Sequence, residues 1–82
     1  MNAQIRDLIK QHGGLSVDVA TLSDDADLYR AGLTSFASVQ LMLGLEDAFD
    51  IEFPDSMLNR ATFGSIAGME RAVGQLTQSE AA

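Results

Sequence analysis

Cysteine is absent from the 82 residues, and histidine occurs once, at His12. The first absence excludes disulfides and thiolate metal sites and fits a reducing compartment. The second leaves no histidine cluster, and His12 itself reads as a residue that complements a helix end rather than as a general base. No apolar run approaches the roughly 18 residues of a membrane span. The start, MNAQIRDLIKQ, lacks the apolar stretch of a secretory leader, so the expected location is the cytoplasm. β-Branched runs and hairpin turns are missing, which leaves no material for a β domain. Repeats and low-complexity tracts are missing as well.

What is present is globular in composition, 46% hydrophobic and 21% charged. The length fits a single domain, with a folded core over about residues 3–76 and a flexible polar tail over 77–82. The net charge is −7 and unevenly spread: residues 18–55 hold nine acidic residues against Arg30 alone. Nucleic acid is a poor partner for such a surface, and a basic protein surface is a good one. The acidity also keeps a small domain soluble and monomeric.

Helical periodicity organises the chain. Ile5, Leu8 and Ile9 share a face of a first helix, with Asn2 as its cap and Gly13 and Gly14 as its left-handed stop. Residues 15–34 form a long connection, but Leu15, Val17, Val19, Leu22, Leu28 and Leu33 predict an ordered loop pinned on the core, with a helical turn near Asp27–Tyr29. Residues 35–49 read as a second helix whose inward stripe is Phe36, Val39, Met42, Leu43 and Leu45, broadened by Leu41 and Ala48, with Gln40, Glu46 and Asp47 toward solvent. Ile51 and Phe53 then anchor a loop. A short helical turn follows around Ser56–Asn59, and Thr62 caps a last helix that turns Phe63, Ile66, Ala67, Val73 and Leu76 inward. Gly44, Gly68 and Gly74 fall inside helices at about 1 kcal/mol each relative to Ala. Close helix crossing is the simpler reason; backbone plasticity around a cargo is the other.

Little here can act as a catalyst. Ser35 lies in GLTSF, without the strand-to-helix elbow of a serine hydrolase. The acidic SDDADLY lacks the spacing of an EF-hand loop and reads as a solvated loop. Ser35 instead reads as a substrate. A serine at a helix start is ordinarily a cap, but the orphan N–H groups and positive end of a helix also stabilise a phosphate.

The segment DADLYRAGLTSFASVQLMLGLEDAFDIEFPD, with its Gly-x-x-Ser, the apolar residue after it and the Ile-x-Phe-Pro beyond, resembles the acyl carrier protein family over residues 3–76. The resemblance implies an all-α four-helix bundle, three helices longer and one short, with a long ordered loop between helices 1 and 2. It implies that Ser35 carries a covalent 4′-phosphopantetheine arm, transferred from coenzyme A by a holo-carrier-protein synthase (a phosphopantetheinyl transferase). Cargo is then held as a thioester, so the thiol arrives with the cofactor. The protein itself is expected not to be an enzyme and to hold no metal.

The segment departs from the common family pattern at Thr34, where an aspartate is usual, and at Phe36, where leucine is usual. The early second helix is also less acidic, with Ala37 and Gln40. A different partner surface is implied, and the combination GLTSFASVQLMLGLEDAFDIEFPDSMLNR looks most like the bacterial aminoacyl carrier proteins. That likeness implies an amino acid cargo activated by an amino acid:carrier protein ligase resembling seryl-tRNA synthetase. An ammonium-bearing cargo gains nothing from burial and would stay outside with the arm. Expected partner contacts are Thr34, Phe36, Ala37, Gln40, Phe53, Leu58 and Arg60, around Ser35. Two other readings stand beside this one: an acyl carrier for fatty acid or polyketide synthesis, and an unmodified helical interaction module.

Overall fold

A computed structural model describes the backbone of residues 1–81 and the side chains of residues 1–77. Its helices are α1 (Asn2–His12), α2 (Ser35–Phe49), α3 (Arg60–Phe63) and α4 (Ile66–Ala81), with 3₁₀ turns at Val19–Thr21 and Asp55–Met57. This is the expected bundle of three longer helices and one short one. α1, α2 and α4 enclose a core whose fully buried side chains are Ile5, Ile9, Leu28, Leu41, Leu45, Ile66, Met69 and Val73.

The first helix differs from expectation at both ends. Met1 holds the cap position, and no side chain caps α1. Gly13 is right-handed at φ −74°, so the left-handed stop falls to Gly14 at φ 65°. Asn2, freed from capping, donates to Asp24 Oδ1 at 2.9 Å and Glu70 Oε1 at 2.6 Å, and accepts from Arg6 Nε at 2.7 Å. Arg6 also donates to the Val19 carbonyl at 2.7 Å and pairs with Asp24 at 2.8 Å. The cluster joins α1, the long loop and α4. That loop is further held where Leu28 N–H donates to the Gly64 carbonyl and Ala67 N–H to the Asp24 carbonyl. As expected, Val19, Leu28 and Leu33 are buried; Val17 is exposed.

The hydrogen bonds from Asn2 and Arg6, with the charge of Arg6 adding to them, hold the Asp24 carboxyl below its ordinary value of 3.8. A carboxyl whose pKa is depressed by folding contributes stability above its unfolded pKa and loses it as pH falls through the folded value. Asp24→Asn therefore lowers the melting temperature at pH 7, and the gap from wild type closes as pH drops below about 4. Thermal melts at both pH values check this. A gap that persists in acid would contradict it.

α2 buries Ala37, Leu41 and Leu45, one position every turn; the sequence suggested Leu41 and Leu45 as inward but not Ala37. Phe36, Val39 and Leu43 point to solvent. Its C-terminus closes on Asp50 in the left-handed region, and Glu46, expected at the solvent side, instead accepts from Phe53 N–H at 2.9 Å. That bond turns the chain back so that Ile51 and Phe53 reach the core, where Phe53 meets Phe63 edge to face at 5.4 Å.

The turn after Pro54 comes at Asp55–Met57, slightly ahead of the place expected. Asn59 caps α3 by accepting from Thr62 N–H at 3.0 Å, so Thr62 lies buried inside α3 and caps nothing. Ser65 supplies the acceptor for Gly68 N–H at the start of α4. A Cβ at Gly68 would overlap the Ala61 carbonyl, and one at Gly44 would press on the His12 ring, so close crossing explains both glycines. α4 runs on to Ala81, through residues the sequence suggested as a tail; residue 82 lies outside the described part. No helix among the described residues is long and apolar enough to cross a membrane.

Candidate functional site

The site is built at the N-terminus of α2. The turn before it is shaped by Asp27, whose carboxylate accepts from Tyr29 N–H at 3.0 Å, and by Gly32 at φ 117°. Leu33 anchors the turn in the core. Thr34 is extended, and its Oγ1 accepts from Ala37 N–H at 3.0 Å; it is the cap of α2. Ser35 is thereby the first residue inside the helix rather than its cap. Its side chain is exposed, and among the described residues its hydroxyl has no hydrogen-bond partner.

The first turn holds no acidic residue. This contrasts with the surrounding acidic sequence. The amides at the start of α2 lack carbonyls of a preceding turn, so a phosphodiester on Ser35 would meet donors and no opposing carboxylate. The residues present fit a 4′-phosphopantetheine group. Asp27, in the turn before the site, is engaged by the Tyr29 N–H.

The structure brings together some of the expected contact residues and withdraws others. Thr34, Phe36 and Gln40 are exposed around Ser35, with Phe36 three-quarters accessible at 75%. Ala37 and Phe53 are in the core, the first because it shares the inward face with Leu41, the second because Glu46 draws its backbone in. Neither offers a surface to a partner. Val39 and Leu43, read from sequence as core, are exposed and extend the Phe36 face along α2. An open groove of about 370 Å³ runs beside them, lined by Tyr29, Ser38, Val39, Met42, Leu58 and Arg60 among others. Leu58 is exposed, and the Arg60 guanidinium lies 4.6 Å from the centre of the Tyr29 ring. His12 stands apart at the end of α1 with its ring against α2 at Gly44.

Comparison with known proteins agrees with this geometry. Residues 3–73 match the family model for the phosphopantetheine attachment site. The chain is 60% identical over 73 residues to the aminoacyl carrier protein of Agrobacterium fabrum (strain C58), covering 89% of this chain and 88% of that protein. It is 38% identical over 65 residues to aminoacyl carrier protein 1 of Bradyrhizobium diazoefficiens, covering 79% of this chain and 69% of that one. Among solved structures it matches a chain of the crystal structure of an engineered Bradyrhizobium japonicum glycine:[carrier protein] ligase complexed with carrier protein from Agrobacterium tumefaciens and AMP. The TM-score is 0.87 at 59% identity, covering 90% of this chain and 99% of that one. A solution structure of an Agrobacterium tumefaciens protein matches at a TM-score of 0.76 and 57% identity over the whole of both chains. The chain belongs to the phosphopantetheine-binding carrier proteins, and within them to the aminoacyl carrier proteins, which bear a covalent phosphopantetheine group and are not themselves catalysts.

Proposed function

We propose that Ser35 is the residue that carries the arm and that the cargo is an amino acid delivered by an amino acid:carrier protein ligase. The observation that carries this reading is the exposed, unpartnered Ser35 hydroxyl at the acid-free start of α2. In the attachment step, Ser35 Oγ bonds to the phosphorus nearest pantetheine in coenzyme A. The pyrophosphate bond to adenosine 3′,5′-bisphosphate breaks, and the hydroxyl proton passes to a base of the holo-synthase. The bound arm supplies the thiol that holds the cargo as a thioester.

An amino acid rather than a fatty acyl or polyketide chain is supported by the similarity to an aminoacyl carrier protein and to a carrier protein solved with an engineered glycine:[carrier protein] ligase. The groove beside α2 is open and has polar residues at its rim, so an ammonium group there keeps its water. The absence of cysteine and the acidic surface support a cytoplasmic monomer. Intact mass after co-expression with a holo-synthase tests the reading: a gain of one arm is expected. If several synthases add nothing, the domain is an unmodified interaction module.

The ligase docks on the exposed face of α2, where Phe36, Val39 and Leu43 lie along one side with Gln40 between them, and on Leu58 and Arg60 across the groove. Truncating an aromatic anchor at an interface costs more than about 1 kcal/mol, close to a tenfold loss of affinity. Phe36→Ala is therefore expected to raise the ligase's KM for the holo protein about tenfold, as steady-state loading kinetics would report. An unchanged KM would remove Phe36 from the docking face.

A further inference from the structure

Two neighbouring hydroxyls, Thr34 and Ser35, are each able to cap the helix that follows them, and the structure chooses Thr34. We propose that Thr34 is a positioning residue for arm attachment: by occupying the cap it keeps Ser35 from becoming one. The inference rests on Ser35 being the attachment residue.

The two arrangements compete for the same backbone. A cap residue is extended, and its side-chain oxygen accepts from the N–H two or three residues on. Thr34 meets this description, with φ −94°, ψ 164° and its oxygen on Ala37 N–H. Its carbonyl takes Ser38 N–H at 2.9 Å, the group that Ser35 would need in order to cap a helix starting one residue later. Thr34 therefore occupies both ends of the alternative at once.

Without the Thr34 oxygen, Ala37 N–H loses its partner. Moving the helix start by one residue costs the Ser38 to Thr34 backbone bond and restores a side-chain cap, now with Ser38 N–H donating to Ser35 Oγ. In that state the oxygen that must attack phosphorus is turned toward the helix backbone, and residue 35 is extended rather than helical. Thr34 performs this duty without charge, so the mouth of α2 stays free of carboxylate where the phosphodiester forms.

Thr34→Val keeps the shape of the residue and removes the oxygen; Thr34→Ser keeps the oxygen. With a holo-synthase and coenzyme A, Thr34→Val is expected to lower kcat for arm transfer about tenfold, the equivalent of one cap, while KM for coenzyme A stays unchanged. Thr34→Ser restores the wild-type rate. Backbone chemical shifts read by NMR should move Ser35 from helical to extended in the valine variant while Ser38 N–H, bonded to the Thr34 carbonyl in one arrangement and to Ser35 Oγ in the other, stays protected from exchange, a combination that simple loss of helix would not give. Should the valine variant fail to fold, Thr34→Ala is measured in the same way.

Transfer at the wild-type rate in the oxygen-free variant would overturn the proposal. So would a serine variant as slow as valine, or a Ser35 that stays helical in the valine variant. Ser35→Ala is run alongside. If it still gains an arm, the attachment reading fails; if it gains none while Thr34→Val behaves as wild type, only this inference fails.

Discussion

Ser35→Ala abolishes arm attachment completely and leaves the fold intact. The two halves of this expectation have separate causes. In the proposed attachment the hydroxyl oxygen is the atom that bonds to phosphorus, and alanine has none to offer. The fold does not depend on it, because the cap bond of α2 comes from Thr34, and the Ser35 side chain makes no hydrogen bond among the described residues and touches water. Alanine also has the higher helix propensity at a position inside the helix. Intact mass after exposure to holo-synthase and coenzyme A, with circular dichroism melts on the same samples, reads both halves. Ser38 lies one turn on, and its hydroxyl donates to the Ser35 carbonyl at 2.8 Å. An arm appearing on the alanine variant would point to that serine and remove Ser35 from its assigned role. A collapse of the melting temperature would instead show that Ser35, and not Thr34, holds the helix start.

Leu41→Ala is expected to cost about 2–5 kcal/mol, the range for a fully buried leucine truncated to leave a cavity. Leu41 is wholly buried, with Ala37 and Leu45 on the same face of α2. A domain of this length carries roughly 0.05–0.15 kcal/mol per residue of net stability, so one such loss removes a large share of the whole. Each kcal/mol moves the melting temperature of a small domain by about 4–8 °C, which sets the expected fall above about 8 °C. Phe36→Ala is the matched control. Its ring is 75% exposed, so its loss should stay within about 0.5 kcal/mol. The hydrophobic pattern alone would place Phe36 in the core, so urea unfolding of this pair decides between the two faces of α2. A larger loss at residue 36 than at 41 would invert the helix and move the docking surface with it.

That inversion marks where sequence and structure part. Ile5 and Ile9 in α1, and Ile51 and Phe53 after α2, are legible because polar neighbours surround them, and the structure buries all four. α2 is apolar on two sides. Ala37, Leu41 and Leu45 face the bundle, while Phe36, Val39 and Leu43 face solvent, and periodicity cannot say which stripe is inside. A face kept apolar for a partner carries the same signal as a face kept apolar for a core.

The caps fail for a similar reason. Thr34 and Ser35 compete for one helix start, and around Thr62 two helix starts follow each other, capped by Asn59 and Ser65 instead, so the backbone selects among several oxygens. The Asn2, Arg6, Asp24 and Glu70 cluster joins residues up to 68 positions apart, so no local pattern announces it. Ser35, proposed as the attachment residue, is legible through the resemblance of its segment to a family. Why it is available became visible only when Thr34 was seen to take the cap.

The central claim, a hydroxyl at residue 35 converted into a carrier of activated amino acid, is tested most directly by loading. Holo protein is incubated with ATP, amino acids and an amino acid:carrier protein ligase, and separately with malonyl-coenzyme A and a malonyl transferase. The account predicts the mass of one aminoacyl group on the holo form and none on the apo form, removable by hydroxylamine as a thioester is. Malonyl uptake without aminoacylation would contradict it.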